Sequence, residues 1–467
     1  MCGIIGISGV PDAARAAYLG LYSLQHRGQE SAGIVTVDGA GTARAHRGMG
    51  LVADVFSEHI LGSLPGDVAI GHTRYSTAGT SVIANAQPIL AGYREGPLAL
   101  GHNGNLTNAA RLRADLVAKG SIFQTSSDSE VLVHLIARSE AREPEDQLLD
   151  ALERVEGAYS LVITIGRTLY AMCDSRGFRP LVLGRLGTGA VVASETCALD
   201  LIGASVVREL EPGDFLRISD GRVEGLPPLP PQPRRRCIFE LVYFARPDST
   251  VFHRSVDRVR RALGRELARE HPVPGADCVF SVPDSANAMA LGYAEEAGIK
   301  LEHALIRNHY VGRTFINPTP AGRNAKVKIK FNPVREVIEG KKVVVVDDSL
   351  VRGTTSRGLV QMIRHAGALE VHFRVASPPI TGPCYYGIDT PTRDELIASS
   401  HSVDAIRRHL GVDTLGYLSL DGMLRAAGSE PSEFCHACFS GAYPTDIPDG
   451  GDARHLAPLD VAIPVTP

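Results

Sequence analysis

Val343-Val344-Val345-Val346-Asp347-Asp348-Ser349-Leu350-Val351-Arg352-Gly353-Thr354-Thr355 decides how the second half of this chain is read. Four β-branched apolar residues bounded by polar ones and glycine predict a buried strand. Leu359 to His365 carries helical spacing, so the acidic pair and the Gly-Thr-Thr turn lie on a strand-loop-helix junction. Such a junction points free backbone N–H groups and the positive end of a helix at an anion. The small Gly353, Thr354 and Thr355 let a phosphate approach closely. Asp347 and Asp348 suit ribose hydroxyls, directly or through a divalent cation, so the loop reads as a ribose phosphate site. The plain alternative is an ordinary βα turn with a solvated acidic pair. No Gly-Lys-Ser/Thr closes the loop, so it is not a Walker A motif.

Working outward, 467 residues exceed one ordinary core and favour two or three domains. A 44% hydrophobic and 21% charged composition is that of a globular protein. The net charge of -4 gives no electrostatic reason to expect nucleic acid or an anionic membrane. The apolar first ten residues follow no basic region and precede no long apolar stretch. Neither signal peptide nor membrane span is therefore expected, and a cytoplasmic protein is the default. Eight cysteines in such a chain point to catalysis, metal or inert burial rather than disulfides.

The clearest boundary is Leu226 to Arg236, with five prolines followed by three arginines, which reads as a linker or a surface strap. Before it, short alternating strands (Gly3 to Ser8, Ala32 to Val37, Val68 to His72, Ser160 to Ile165, Ala190 to Ser194) dominate. Helices are expected at Ala13 to Gln25 and Ser129 to Ser139, giving a mostly antiparallel α+β half. After it, strand then helix recurs (Asp277 to Val282 then Ala288 to Ala297, and Val343 to Val346 then Arg357 to Ala366). That order favours a parallel sheet with ligands at the carboxyl ends of its strands.

At the other end, Met1 precedes Cys2, a small residue after which initiator methionine is commonly removed. Removal leaves a thiol and a free α-amine on one residue. An α-amine with a pKa of about 7.7 to 8.0 can activate its own thiol at neutral pH. Three clusters in the same half support this. Arg74, in His72-Thr73-Arg74-Tyr75-Ser76-Thr77, could grip a carboxylate in a two-pronged bond. Asn103 and Gly104 supply an amide donor beside a backbone N–H, the parts of an oxyanion hole. Asp128 could pair with an ammonium, its plain alternative being a helix N-cap. A thiol, an oxyanion hole and an amino-acid pocket together suggest a side-chain amide substrate, glutamine.

Cys2-Gly3-Ile4-Ile5-Gly6, His26-Arg27-Gly28-Gln29-Glu30-Ser31-Ala32-Gly33, His72 to Thr77 and His102-Asn103-Gly104-Asn105-Leu106 resemble the class II glutamine amidotransferases. Joined to the phosphoribosyl loop, the chain from Cys2 to about Gly441 resembles the glutamine phosphoribosylpyrophosphate amidotransferases of purine biosynthesis. The resemblance implies an αββα N-terminal-nucleophile hydrolase domain over residues 2–230. A type I phosphoribosyltransferase domain follows over 231–440, then a loosely held tail over 441–467. It implies Cys2, Asn103 and Gly104 as catalytic, with Arg74, Thr77 and Asp128 binding glutamine. Asp347, Asp348, Ser349, Arg352, Gly353, Thr354 and Thr355 would bind phosphoribosyl pyrophosphate, and Ser285, Asp347 and Asp348 would hold Mg2+. Gly312 to Ile316 with Arg313, and the basic run Arg323, Lys326, Lys328 and Lys330, resemble a mobile loop closing over that substrate. The run also fits the solvated face of an edge strand. At Ala286 the family often has glycine.

Cys435-His436-Ala437-Cys438 is a Cys-x-x-Cys pair that invites metal, and spacing alone leaves zinc and iron-sulfur open. The resemblance implies the branch with a [4Fe-4S] cluster on Cys237, Cys384, Cys435 and Cys438. Relatives of that branch often carry a propeptide, whereas here methionine removal is expected to suffice. Cys173, Cys197 and Cys278 read as buried and inert. A homotetramer with feedback by AMP and GMP type nucleotides is also implied. Two other readings remain. One is glutamine-dependent hexosamine synthesis, which shares the first half but needs sugar-isomerase domains. The other is a non-catalytic nucleotide-binding regulatory paralogue, opposed by the intact Cys2, Arg74, Asn103, Asp128, Asp347 and Asp348.

Overall fold

The computed structural model describes residues 1–75, 80–309, 329–390, 392–428 and 430–447. The first half holds two stacked antiparallel sheets. One runs, in spatial order, Ser205–Glu209, Val182–Leu186, Gly189–Ala193, Gly3–Ser8, Val68–Arg74, Ser31–Val37 and Ala43–Met49. The other runs Arg222–Gly225, Phe215–Ser219, Thr168–Cys173, Gly157–Ile165, Gly96–Leu106 and Ile89–Tyr93.

Strand alternation builds the layers. On Gly3–Ser8, Ile4 packs between the sheets against Val162, Leu169 and Ala171. Ile5 and Ile7 face the other way, against Ala13–Ser23 and Thr196–Leu201, as the two-residue side-chain period requires. Leu100, Leu161 and Ile163 meet helices Ala109–Ala118, Ser129–Arg138 and Pro144–Leu152 on the far side. The result is the expected αββα order.

The second half holds a parallel sheet of Cys278–Ser281, Lys342–Asp347, Glu370–Val375 and Thr414–Tyr417. The valine run is its interior. Val343 and Val345 pack with Thr354–His365 and Val403–Leu410 on one face. Val344 and Val346 pack with Val256–Glu270 and Asn287–Ala297 on the other. All four are fully buried, which is why the run shows no alternation.

Residues 226–235 form no strand or helix, and lie along the first half as a strap. Leu229 is buried in that half's helical layer, and Arg235 N–H donates to Arg176 O at 2.8 Å. The expected loose tail needs correction at its start. Tyr443 hydroxyl donates to Pro383 O at 2.7 Å, and Thr445 N–H donates to the Tyr386 hydroxyl at 3.1 Å. Buried carbonyl and phenol groups require such partners, and they anchor residues 443–445. Among the described residues no helix is long and apolar enough to cross a membrane.

Candidate functional site

Cys2 is buried at the edge of the first sheet, immediately before Gly3–Ser8. With Met1 attached its nitrogen is a peptide amide, donating to Asn103 Oδ1 at 3.2 Å. Its Sγ lies 3.8 Å from Tyr75 O. Burial lowers the pKa of the Met1 amine to about 6, with Arg179 and Arg27 adding to the effect. An amine in this environment is mostly neutral at pH 7. Asn103 comes from Gly96–Leu106, and its Nδ2 is a buried donor without a partner among the described residues. Buried donors are seldom left unpaired outside functional sites. Gly104 follows at φ +156°, where a Cβ would lie 1.9 Å from Ala158 O, so only glycine fits. Asn103 therefore sits beside Cys2, with the Gly104 peptide next along the same strand.

Arg74 ends Val68–Arg74, is buried, and donates from Nη1 to Thr80 O at 3.3 Å, with Glu30 at 3.8 Å. Asp128 stands at the N-cap of Ser129–Arg138, but its side chain caps no helical N–H. It accepts instead from Leu106 N–H at 2.9 Å, which places it beside the oxyanion strand. Thr77 lies outside the described residues. His72 Nε2 donates to His102 O at 3.1 Å, and burial lowers its pKa to about 3. A neutral ring donating from Nε2 fixes the carbonyl that precedes Asn103.

Behind the nucleophile is a charged network that the sequence reading missed. Arg27 Nε donates to Cys2 O at 3.0 Å. Its other nitrogens reach Glu240 at 2.8 and 3.1 Å and also Glu195. Glu240 opens the π-helical turn Glu240–Phe244 beyond the strap, and it also accepts from Arg179 at 3.2 Å. All four side chains are fully buried. Against the penalty of burial, His26 and Arg27 hold the Glu195 carboxyl well below the usual range. The His26-Arg27-Gly28 motif was the available signal, because a Cβ on Gly28 would press on the Thr73 and Arg74 backbone at 2.6 to 2.7 Å.

In the second half, Asp347 ends its strand and Asp348 opens the loop, both buried. Burial, and for Asp347 the neighbouring Asp348, raises both carboxyl pKa values. The Ser285 hydroxyl bonds to Asp348, and the Ser349 hydroxyl donates to it at 2.5 Å. Arg260 Nη2 donates to Ala245 O at 2.8 Å and lies within electrostatic reach of Asp348. Gly353, at φ +72°, starts helix Thr354–His365 with no side-chain cap, leaving first-turn N–H groups for an anion. Arg352 pairs with Glu395 at 3.3 Å and is half exposed. Arg313, Lys326 and Lys328 lie outside the described residues. Lys330 acts electrostatically on Asp347.

Cys237, Cys384, Cys435 and Cys438 line one cavity with Phe178, Tyr386, Ile388, Ala437 and Tyr443. Strands Arg236–Cys237 and Phe434–Cys435 pair in parallel and set Cys237 opposite Cys435. Burial raises the thiol pKa of Cys237 to about 11 and pushes those of Cys435 and Cys438 up further. Among the described residues no three ligating side chains are grouped to hold a single metal ion. Cys173, Cys197 and Cys278 are buried, with thiol pKa values raised by burial.

Residues 72–201 match the glutamine amidotransferase domain model. Amidophosphoribosyltransferase 2, chloroplastic, of Arabidopsis thaliana is 52% identical over 457 residues, covering 97% of this chain and 81% of that protein. The chain belongs to the amidophosphoribosyltransferase family. The family's Bacillus subtilis (strain 168) member is 50% identical over 451 residues, covering 96% of this chain and 94% of that one. A solved B. subtilis glutamine phosphoribosylpyrophosphate amidotransferase, complexed with ADP and GMP, superposes with a TM-score of 0.92. It is 48% identical and covers 98% of this chain and 100% of that one. A structure described as the allosteric regulatory enzyme of purine biosynthesis gives the same TM-score at 49% identity, over 96% and 97% of the chains. The two halves are thus an N-terminal-nucleophile amidotransferase fold and a phosphoribosyltransferase fold with a parallel sheet.

Proposed function

We propose that this amidophosphoribosyltransferase makes 5-phosphoribosylamine, pyrophosphate and glutamate from glutamine and phosphoribosyl pyrophosphate, the first step of purine biosynthesis. The observation that carries the residue assignment is the unpartnered Asn103 Nδ2, held beside Cys2 by the 3.2 Å bond from Cys2 N to Asn103 Oδ1.

Once Met1 is removed, the Cys2 α-amine takes the thiol proton and the thiolate attacks the glutamine amide carbon. Asn103 Nδ2 and Gly104 N–H stabilise the resulting oxyanion. The C–N bond breaks as the amine returns its proton to the leaving nitrogen, releasing ammonia. Water then cleaves the thioester to glutamate. Arg74 and Asp128 hold the substrate's carboxylate and ammonium, with Thr77 assigned to the same pocket by its motif. Ammonia attacks C1 of the ribose and pyrophosphate departs. Free ammonia would mostly protonate at neutral pH, so an enclosed route between the halves belongs to this reading.

Gly353, Thr354 and Thr355 cradle the ribose phosphate and Asp347 and Asp348 the ribose, with Ser349 held against Asp348 and the Arg313, Lys326 and Lys328 segment closing over pyrophosphate. Arg352 would join only by leaving Glu395. Buried Asp347 and Asp348 with half-buried Ser285 form a set of oxygen ligands that fits Mg2+, which often binds one or two carboxylates plus substrate phosphate. When bound it would neutralise charge on the pyrophosphate. The four cavity cysteines supply the thiolates that either zinc or a [4Fe-4S] cluster would take, and the resemblance to the cluster-bearing branch favours the cluster. Its contribution would be structural, tying residues 434–438 to the transferase half. A cytoplasmic homotetramer inhibited by purine nucleotides completes the reading.

Glutamine hydrolysis measured with and without phosphoribosyl pyrophosphate tests the proposal. Stimulation by the sugar is expected. Its absence would defeat the coupled reaction, and the acidic Asp347 to Thr355 loop already opposes hexosamine synthesis.

A further inference from the structure

The transferase half reaches into the glutaminase site through a short backbone segment, Tyr385 to Gly387. Asn105 Nδ2 donates to Tyr385 O at 2.9 Å. Arg179 Nε donates to Tyr386 O at 2.9 Å, and the Phe178 and Tyr386 rings stack with centroids 4.3 Å apart. Gly387 sits at φ +104°, and a Cβ there would lie 2.8 Å from both C and O of Gly104. Residues 104 and 105 are therefore clamped between their own sheet, where Ala158 O blocks any side chain on Gly104, and the backbone of the other half.

We propose that Tyr385 to Gly387 is the positioning element for the oxyanion-hole peptide, with Asn105 and Gly387 as positioning residues for glutamine hydrolysis. This rests on the assignment of Asn103 and Gly104 to the oxyanion. The contacts close a circuit around the nucleophile. It runs from Cys2 O to Arg27, Glu240, Arg179 and Tyr386 O, then through Tyr385 O to Asn105, Gly104 and Asn103, whose Oδ1 returns to Cys2 N. Both halves contribute, so the oxyanion donors hold their geometry only while the halves are docked. A displacement of about 1 Å in such a donor can cost a hundredfold in rate.

The test uses full-length Gly387→Ala and Asn105→Ala enzymes. A Cβ at 387 must push on the Gly104 carbonyl, and loss of the amide frees Asn105 from Tyr385. For both, kcat for glutamine hydrolysis is expected to fall about tenfold to a hundredfold, with KM for glutamine changed by no more than about twofold. Product formation from added ammonia, and alkylation of Cys2 by iodoacetamide, should be retained. Retained kcat for glutamine in both variants overturns the proposal. So does parallel loss of ammonia-fed activity, which would mean that the contact merely holds the fold. A parent enzyme that hydrolyses no glutamine would instead sink the functional reading beneath it.

Discussion

Arg27 and Glu240 form a fully buried ion pair across the strap, with nitrogen to oxygen distances of 2.8 and 3.1 Å, while Arg27 also donates to the carbonyl of Cys2. A buried pair of this kind adds little net stability over an apolar contact, but removing one partner leaves an uncompensated charge. Its position makes it a mechanical link between the nucleophile and the turn that opens the second half.

Glu240→Gln should therefore weaken both stability and coupling. Arg27 and Arg179 would lose the carboxylate they share, at a cost of about 3 to 5 kcal/mol. A lower urea midpoint is expected, together with a larger loss of glutamine-fed than ammonia-fed activity. Equal losses would show that the pair serves only the fold.

Asp348→Asn should separate stability from activity. Burial and the adjacent carboxylate raise the pKa values of this pair, so a neutral isostere relieves a repulsion in the ligand-free enzyme. Its thermal midpoint should hold or rise, while ammonia-fed synthesis falls by about a hundredfold or more, as expected when transition-state charge loses its counterpart. A lower midpoint with synthesis intact would contradict this assignment.

The His72 imidazole should stay neutral from pH 5 to 8, because burial lowers its pKa from 6.5 to about 3. The unfolded chain takes up a proton below about 6.5 that the folded chain refuses until about 3. His72 therefore lends stability that is complete above pH 6.5 and is lost as pH falls, by about 5 kcal/mol at the acid end. Nitrogen-15 NMR of labelled histidine checks this, and a ring titrating near pH 6.5 would refute it.

Anaerobically purified protein should be brown and carry about four irons per chain, with Cys384→Ser losing both. Because the Cys237 and Cys435 strands pair directly, that variant should also show faster proteolysis near residue 435. Stoichiometric zinc without iron would reverse the choice of metal.

Much of the fold could be read from alternation. Gly3 to Ser8, read as a short alternating strand, and the unbroken valine run, read as a buried one, were both legible before any coordinates. The glutaminase donors were legible because Asn103-Gly104 and Cys2 are chemically specific. Arg27, Glu195, Glu240 and Arg179 were not, because a buried ion pair looks in sequence like four unrelated surface charges. Asn105 and Gly387 escaped for a related reason. Their partners lie 280 or more residues away, and backbone contacts leave no compositional trace. The Arg352 pairing with Glu395 was not legible either, because the two lie 43 residues apart.

The most direct test is a Cys2→Ala enzyme assayed for phosphoribosylamine from glutamine and, separately, from ammonia. The account predicts that the glutamine-fed reaction disappears while the ammonia-fed reaction persists. Undiminished synthesis from glutamine without that sulfur would contradict it.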